Sequence, residues 1–310
     1  MNSLKYFSFA DVWSPYFLIF MLAVATLYSF LVGPWRGRFA GAEAVPIGRQ
    51  ISFYAAVVLL YLVHGGPLSL LGHLMFSYHM TDMAISYVLV PPMLLYGIPA
   101  WLWRSVLGSA VLRPFRFLGN PLLGLFLFNL LFSVYHLPNI HDWIMVHYFV
   151  HALYYIVLLL TAMLNWWHIQ CPVSEWARVS PLLRLAYIFL NGLLLTPACV
   201  LIIFAGEPVF AVYSDPAVWA QAMRYCVSGN SAELLAKFQG PSFFGVLSAQ
   251  EDQQLGGIIM KLIQEFINIG ALYSVFMQWF RRERKEEDGE GASLEAQTAA
   301  RLNSVGSNNV

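Results

Sequence analysis

The chain has 310 residues, of which 59% are hydrophobic and only 11% charged, and its formal charges cancel to zero. Soluble domains carry about a quarter charged residues, so the composition excludes an ordinary aqueous fold, and the zero balance gives no footprint for a nucleic-acid partner. No glycine-rich phosphate loop and no paired-cysteine zinc motif occurs.

Taken in order, the apolar stretches predict seven spans: Tyr16 to Val32, Ile51 to Val63, Leu74 to Tyr96, Leu122 to Tyr135, Trp143 to Trp166, Leu182 to Phe204 and Gly257 to Phe280. Most approach the ~20 apolar residues that cross a hydrocarbon core. The first lacks the charged flank and small-residue cleavage site of a signal peptide and is expected to be retained. Trp35, Trp101, Trp103, Trp166, Trp167 and Trp279 flank these runs as an interfacial belt does. Arg36, Arg38 and Arg49 follow the first span, Arg104, Arg113 and Arg116 the third, Arg178 the fifth, and Arg281, Arg282, Arg284 and Lys285 the seventh. The alternate connections are almost free of basic residues, so the positive-inside rule predicts an outside N-terminus and a cytoplasmic C-terminus.

The expected fold is therefore an all-α membrane protein, a polytopic bundle of seven transmembrane helices over residues 1–280. Residues 100–118 mix tryptophan, leucine and arginine and predict a helix lying along the inner interface. Residues 207–254 form a long outer loop with helical patches. Residues 281–310, polar beyond the basic cluster, predict a disordered cytoplasmic tail. Pro91 and Pro92 are expected to kink the third span, and Lys261 and Glu265, one turn apart, to neutralise each other in the seventh. Cys171, Cys199 and Cys226 are too isolated for a disulfide framework.

On this topology seven of the eight histidines fall in the outer third. His64 ends the second span, His73 begins the third, His79 lies two turns deeper, and His136 and His141 occupy the turn before the fifth. His147 and His151 open the fifth span, and only His168 lies at the inner side. Residues four apart share a helix face, so Met75, His79 and Met83 predict one stripe, with Asp82 beside it, and His147 and His151 a second. Imidazoles with thioethers suit copper, especially Cu(I), better than they suit hard ions. Two other chemistries fit the same residues, haem ligation from two spans and a proton relay with Asp82. Cys226, in the outer loop, is a further candidate for reactivity or metal binding.

Five motifs in order, GHLMFSYHM, VPPMLLYGIP, SVYHLPNIHDW, NWWHIQCP and EDQQLGGIIMK, resemble the CtaG family of Bacillus-type cytochrome c oxidase (caa(3)-type) assembly factors, over about Phe30 to Phe280. The resemblance implies a multi-pass protein of the bacterial plasma membrane that supplies copper to the CuB centre of a caa(3)-type oxidase. The oxidase catalytic subunit would be its partner, and a second copy of the chain is a further candidate. It also implies a metal set. His73 and His79 match the third-span histidines, His136 the turn histidine and His151 that of the fifth span. Met83 stands where some relatives carry histidine, and Met75 is a reserve ligand. Asp252 and Gln253 match an acidic-amide pair able to orient or close a site, with Asp82 and His147 as accessory residues. A copper transporter, and a haem-binding or scaffold protein for oxidase assembly, are the alternative functions.

Overall fold

The structure, a computed structural model, describes residues 2–307 apart from 110–116, 118, 228 and 229. Among these residues there is no strand. Many helices open on a proline preceded by a capping side chain, the arrangement that satisfies orphan N–H groups while fixing the first helical φ. Ser14 precedes α1 (Pro15–Val32) and accepts from Phe17 N. Asn120 caps α7 (Pro121–Tyr135), Ser180 caps α10 (Pro181–Ile203), and Asp215 caps α11 (Pro216–Met223) in the same way.

The remaining elements are α2 (Ile47–His64), α3 (Pro67–Leu74), α4 (Phe76–Ala84), α5 (Val90–Gly97), α6 (Ala100–Leu107), α8 (Pro138–Met145), α9 (Tyr148–Gln170), α12 (Ser231–Phe238) and α13 (Ala249–Ser307). Five helices are long and apolar enough to cross a membrane: α1, α2, α9, α10 and α13 over Ala249–Lys285. Two bent pairs bring the number to as many as seven. Phe76–Gly97 meets α6 at 98°, and α7 meets α8 at 80°. The turn into α6 falls on the segment expected to lie along the interface; the rest of that segment is mostly outside the described residues. The backbone of α13 stays helical to Ser307, over the polar stretch expected to form a tail. Its Glu, Lys, Ala and Gln content gives that stretch helix propensity without hydrophobicity.

The third span departs from a simple rod in two places. Met75 is extended (φ −140°, ψ 134°), so α3 and α4 are separate helices where one was expected to begin. Gly72 allows the join, since a Cβ there would stand 3.3 Å from the His79 Cα. Lower down, Ile85–Leu89 forms a π-turn between α4 and α5. Pro91 and Pro92 follow it; each lacks an N–H and would crowd the carbonyl four residues back, and a wider turn relieves both problems.

The bundle has lipid-type apolar residues outside and polar ones within. Phe20, Leu160, Phe189, Leu201 and Phe266 are exposed, while Asn129, Asn165, Asn191, Gln264 and Asn268 are buried. At mid-depth Asn191 Oδ1 accepts from Asn129 Nδ2 (2.9 Å) and Asn165 Nδ2 (3.1 Å), tying α10 to α7 and α9. Tyr187 Oη donates to Asn165 Oδ1 at 3.0 Å. Lys261 pairs with Glu265 at 2.6 Å and donates to Thr196 Oγ1 at 2.8 Å. The helix ends then fall into two groups. Arg104, Glu175 and Arg178 mark the arginine end, where Arg104 Nε meets Glu175 Oε1 at 2.5 Å. All histidines except His168 gather at the other, the histidine end.

Candidate functional site

Three rings lie in the interior of the histidine end. His79 comes from the first turns of α4, His136 is the C-cap of α7, and His141 sits in α8 beyond the corner opened by Pro138. Their relative exposures are 2%, 4% and 0%. The His79 and His141 ring centroids are 5.2 Å apart at 88°, and His79 and His136 are 6.1 Å apart. Tyr135 packs against all three, with Phe76, Phe210 and Tyr213 against His79 or His141.

The segment after α10 covers this set through three side chains. Asp142, next to His141, accepts from Ala211 N (2.9 Å) and Val212 N (3.1 Å). Gln253 Oε1 accepts from Val209 N at 2.8 Å while its Nε2 donates to Ile202 O at 3.2 Å. Asp252 accepts from the Ser77 backbone N–H at 3.2 Å and from the Ser77 hydroxyl, fixing α13 to α4. Tyr213 Oη donates to Gly72 O at 2.7 Å. Burial pushes the pKa of Tyr213 well above that of an ordinary phenol, so it remains a neutral donor.

The ring nitrogens are left bare. His136 Nδ1 lies 2.8 Å from Phe132 O, which can only accept, so this nitrogen carries the proton and Nε2 presents a lone pair. That Nε2 is buried without a partner, as are His79 Nε2, His141 Nε2 and His151 Nε2. His141 Nδ1 stands 3.5 Å from Asp142 Oδ1, too long for a full hydrogen bond. Burying a polar atom unpaired costs about 1–3 kcal/mol, and buried polar groups in folded chains are normally satisfied. Four such nitrogens gather at this end of the bundle, and His168 Nε2 is a further one at the arginine end.

Beside this set lies a cavity of about 550 Å³, lined by His64, His73, Asp82, Met145, His151 and Cys226 among others. His73 and His151 face each other with centroids 5.6 Å apart. His73 Nδ1 meets Ser69 O at 2.8 Å, so its Nε2 is also the free nitrogen. Asp82 accepts from Ser86 Oγ at 2.8 Å, and the same hydroxyl lies 3.1 Å from His64 Nε2. Among the described residues no three His, Cys, Asp or Glu side chains converge closely enough to hold a metal as they stand; the histidines approach in pairs.

Other predicted residues lie elsewhere. The expected Met75–His79–Met83 stripe is broken at its first member, because Met75 is the extended junction between α3 and α4. Met75 lines a separate cavity of about 1000 Å³ with Ser77, Tyr78 and Asp252. Met83 is buried in the main apolar core. His147 is the N-cap of α9, exposed, with Nδ1 2.6 Å from Trp143 O and its ring on the Trp143 ring. His168 is buried at the arginine end, its ring facing Tyr187. In the opposite direction, His141 belongs among the central rings although the resemblance left it outside the metal set. The aspartate that follows it and the proline three residues before were its sequence signals.

No curated protein and no solved structure matches the chain. The cytochrome c oxidase caa3 assembly factor family (Caa3_CtaG) matches it over residues 26–282. The chain, a multi-pass membrane protein, belongs to the family of cytochrome c oxidase caa3 assembly factors.

Proposed function

We propose that this assembly factor is a non-enzymatic copper carrier that takes up Cu(I) at its histidine end and passes it to the CuB centre of a caa3-type oxidase. The observation that carries this reading is the set of buried, unpartnered nitrogens on His79, His136, His141 and His151. Imidazole suits copper, and an ion meeting rings two at a time must accept a low coordination number, as Cu(I) does and Mg²⁺ or Ca²⁺ does not. The backbone bonds that hold His73 and His136 with Nε2 outward are the kind that orient metal-binding histidines.

Loop charge supports the orientation in which the arginine end is cytoplasmic and the histidine end faces outward. Copper would then be received and released on the outer side of the membrane. Delivery is ligand exchange: the chain's rings hold the ion while histidines of the oxidase subunit displace them one at a time. Paired rings, without a closed four-ligand cage, leave the ion open to such an attack. Met83 is a further thioether within the same span.

The test is a Cu(I) titration of the purified full-length protein under reducing conditions. The wild type should retain about one copper or more per chain, and joint replacement of His79 and His151 by alanine should remove most of it. Unchanged copper in that double variant would overturn the proposal.

A further inference from the structure

The cavity beside the three interior rings brings together residues from three distant parts of the chain. His73 is in the last turn of α3, His151 in the first turn of α9, and Cys226 in the turn that follows α11. All three line the same space. Cys171 and Cys199 are buried within the bundle, whereas Cys226 is partly exposed. It lies close enough to the His73 ring to act on it electrostatically. His73 Nδ1 gives its proton to Ser69 O, which leaves Nε2 as the free nitrogen of that ring. Across from them His151 contributes a buried Nε2 with no partner.

Two other polar groups of this cavity are already engaged with each other. Asp82 and His64 are joined through the Ser86 hydroxyl. Between the cavity and the interior rings stand two tyrosines. Tyr155 packs against His151 at 4.1 Å, its hydroxyl lies 3.4 Å from that of Tyr135, and Tyr135 packs against His79 at 5.8 Å. The histidine end thus has two compartments, one reached from a cavity and carrying a thiol, the other enclosed and made of imidazole alone.

We infer that Cys226, His73 and His151, which line one cavity without converging on a point as they stand, draw together on Cu(I) as an acceptance site, distinct from the enclosed His79, His136 and His141 set. The inference rests on the copper-carrying function proposed above and divides it into two stations. Sulfur is the softest donor at this end of the molecule, and thiolate and imidazole together favour Cu(I) over harder divalent ions. On binding, the thiol proton is displaced and leaves through the open cavity; no electron moves, and the copper stays Cu(I). Passage inward exchanges the sulfur for the unpartnered nitrogens beyond the two tyrosines, so the enclosed station receives an ion already stripped of water.

The test uses the full-length protein in detergent, with Cu(I) as the probe, ascorbate as reductant and no added thiol. X-ray absorption at the copper edge should show a sulfur neighbour at the first equivalent, and Cys226→Ser should remove it. That substitution should weaken first-equivalent binding by more than the ~10-fold that loss of a merely orienting partner costs. In the wild type, one equivalent of Cu(I) should slow alkylation of Cys226 by a maleimide, and a Cu(I) chelator should restore the rate, a readout that needs no variant to fold. Copper bound through nitrogen alone, with alkylation unaffected, would overturn the acceptance site and leave the carrier function standing. No retained copper at all would remove the carrier function and this site with it.

Discussion

Asn191 and His79 occupy the same bundle and are buried alike, at 4% and 2% exposure, yet they meet opposite surroundings. Asn191 is held by two amides from neighbouring helices, and the Asn129–Asn165–Asn191 seam leaves only Asn129 Oδ1 buried without a partner. His79 lies among aromatic rings and other imidazoles with its Nε2 unpaired. The first cluster is closed by the chain itself and behaves as internal glue between helices. The second is closed by nothing in the chain. A buried polar group whose partners are present holds the fold together; one whose partners are missing is, on the copper-carrying function proposed above, kept for a ligand.

The sharpest way to break this contrast is to remove one polar group from each cluster. His79→Leu takes away an unpaired buried nitrogen and replaces it with an apolar group, so the thermal midpoint should stay unchanged or rise. Restoration of caa3 oxidase activity in cells lacking the native chain should fall by about tenfold or more. A variant that lost stability while keeping activity would place His79 among the structural residues. Asn191→Leu should do the reverse. It strands two buried amides and should lower stability by about 2–3 kcal/mol, while the protein that remains folded keeps its copper.

A third substitution bears on the frame that holds the histidine end together. A Cβ on Gly256 would stand 2.8 Å from Phe76 Cδ1 and 3.1 Å from Phe76 O, where α13 meets α4. Gly256→Ala should therefore cost about 1–2 kcal/mol, read as a lower midpoint in thermal unfolding, with copper release faster than in the wild type. Stability equal to wild type would mean that the two helices separate freely there.

The smallest effect is expected at the arginine end, where charges are solvated. The Arg104 guanidinium beside Glu175 holds its carboxyl down at about 2, below the ordinary 4.5. The contribution of this pair is therefore present above the ordinary value and lost as pH falls through about 2. Glu175→Gln should remove that pH dependence and change the midpoint little near neutrality. Equal acid sensitivity in wild type and variant would show that Arg104 does not anchor the loop.

The spans were legible because length and hydropathy are properties of single segments, and so was the clustering of histidine at one end. The assembly-factor resemblance, carried by motifs such as SVYHLPNIHDW, agrees with the family match over residues 26–282. What could not be read was set by corners and long-range closure. Met75 fits a helical stripe with His79 by spacing, but Gly72 brings α3 so close to α4 that the chain must extend between them. His141 becomes central only because α8 turns 80° from α7. Cys226 shares a cavity with His73 across about 150 residues, a separation over which no local pattern carries information. Gln253 was readable as a candidate for closing the site; that it does so by holding Val209 and Ile202 was not.

The π-turn at Ile85–Leu89 has a consequence of its own. An α-helix advances about 100° per residue, and a π-turn absorbs one residue beyond the regular winding. The histidine-bearing half above it and the proline-bearing half below it therefore count their faces in different phases. Deleting a single residue from this turn would leave every side chain of the site in place by name and swing His79 and Asp82 together by about a quarter turn relative to the lower half. The direction in which these groups point is thus encoded in the number of residues beneath them, independently of what those residues are.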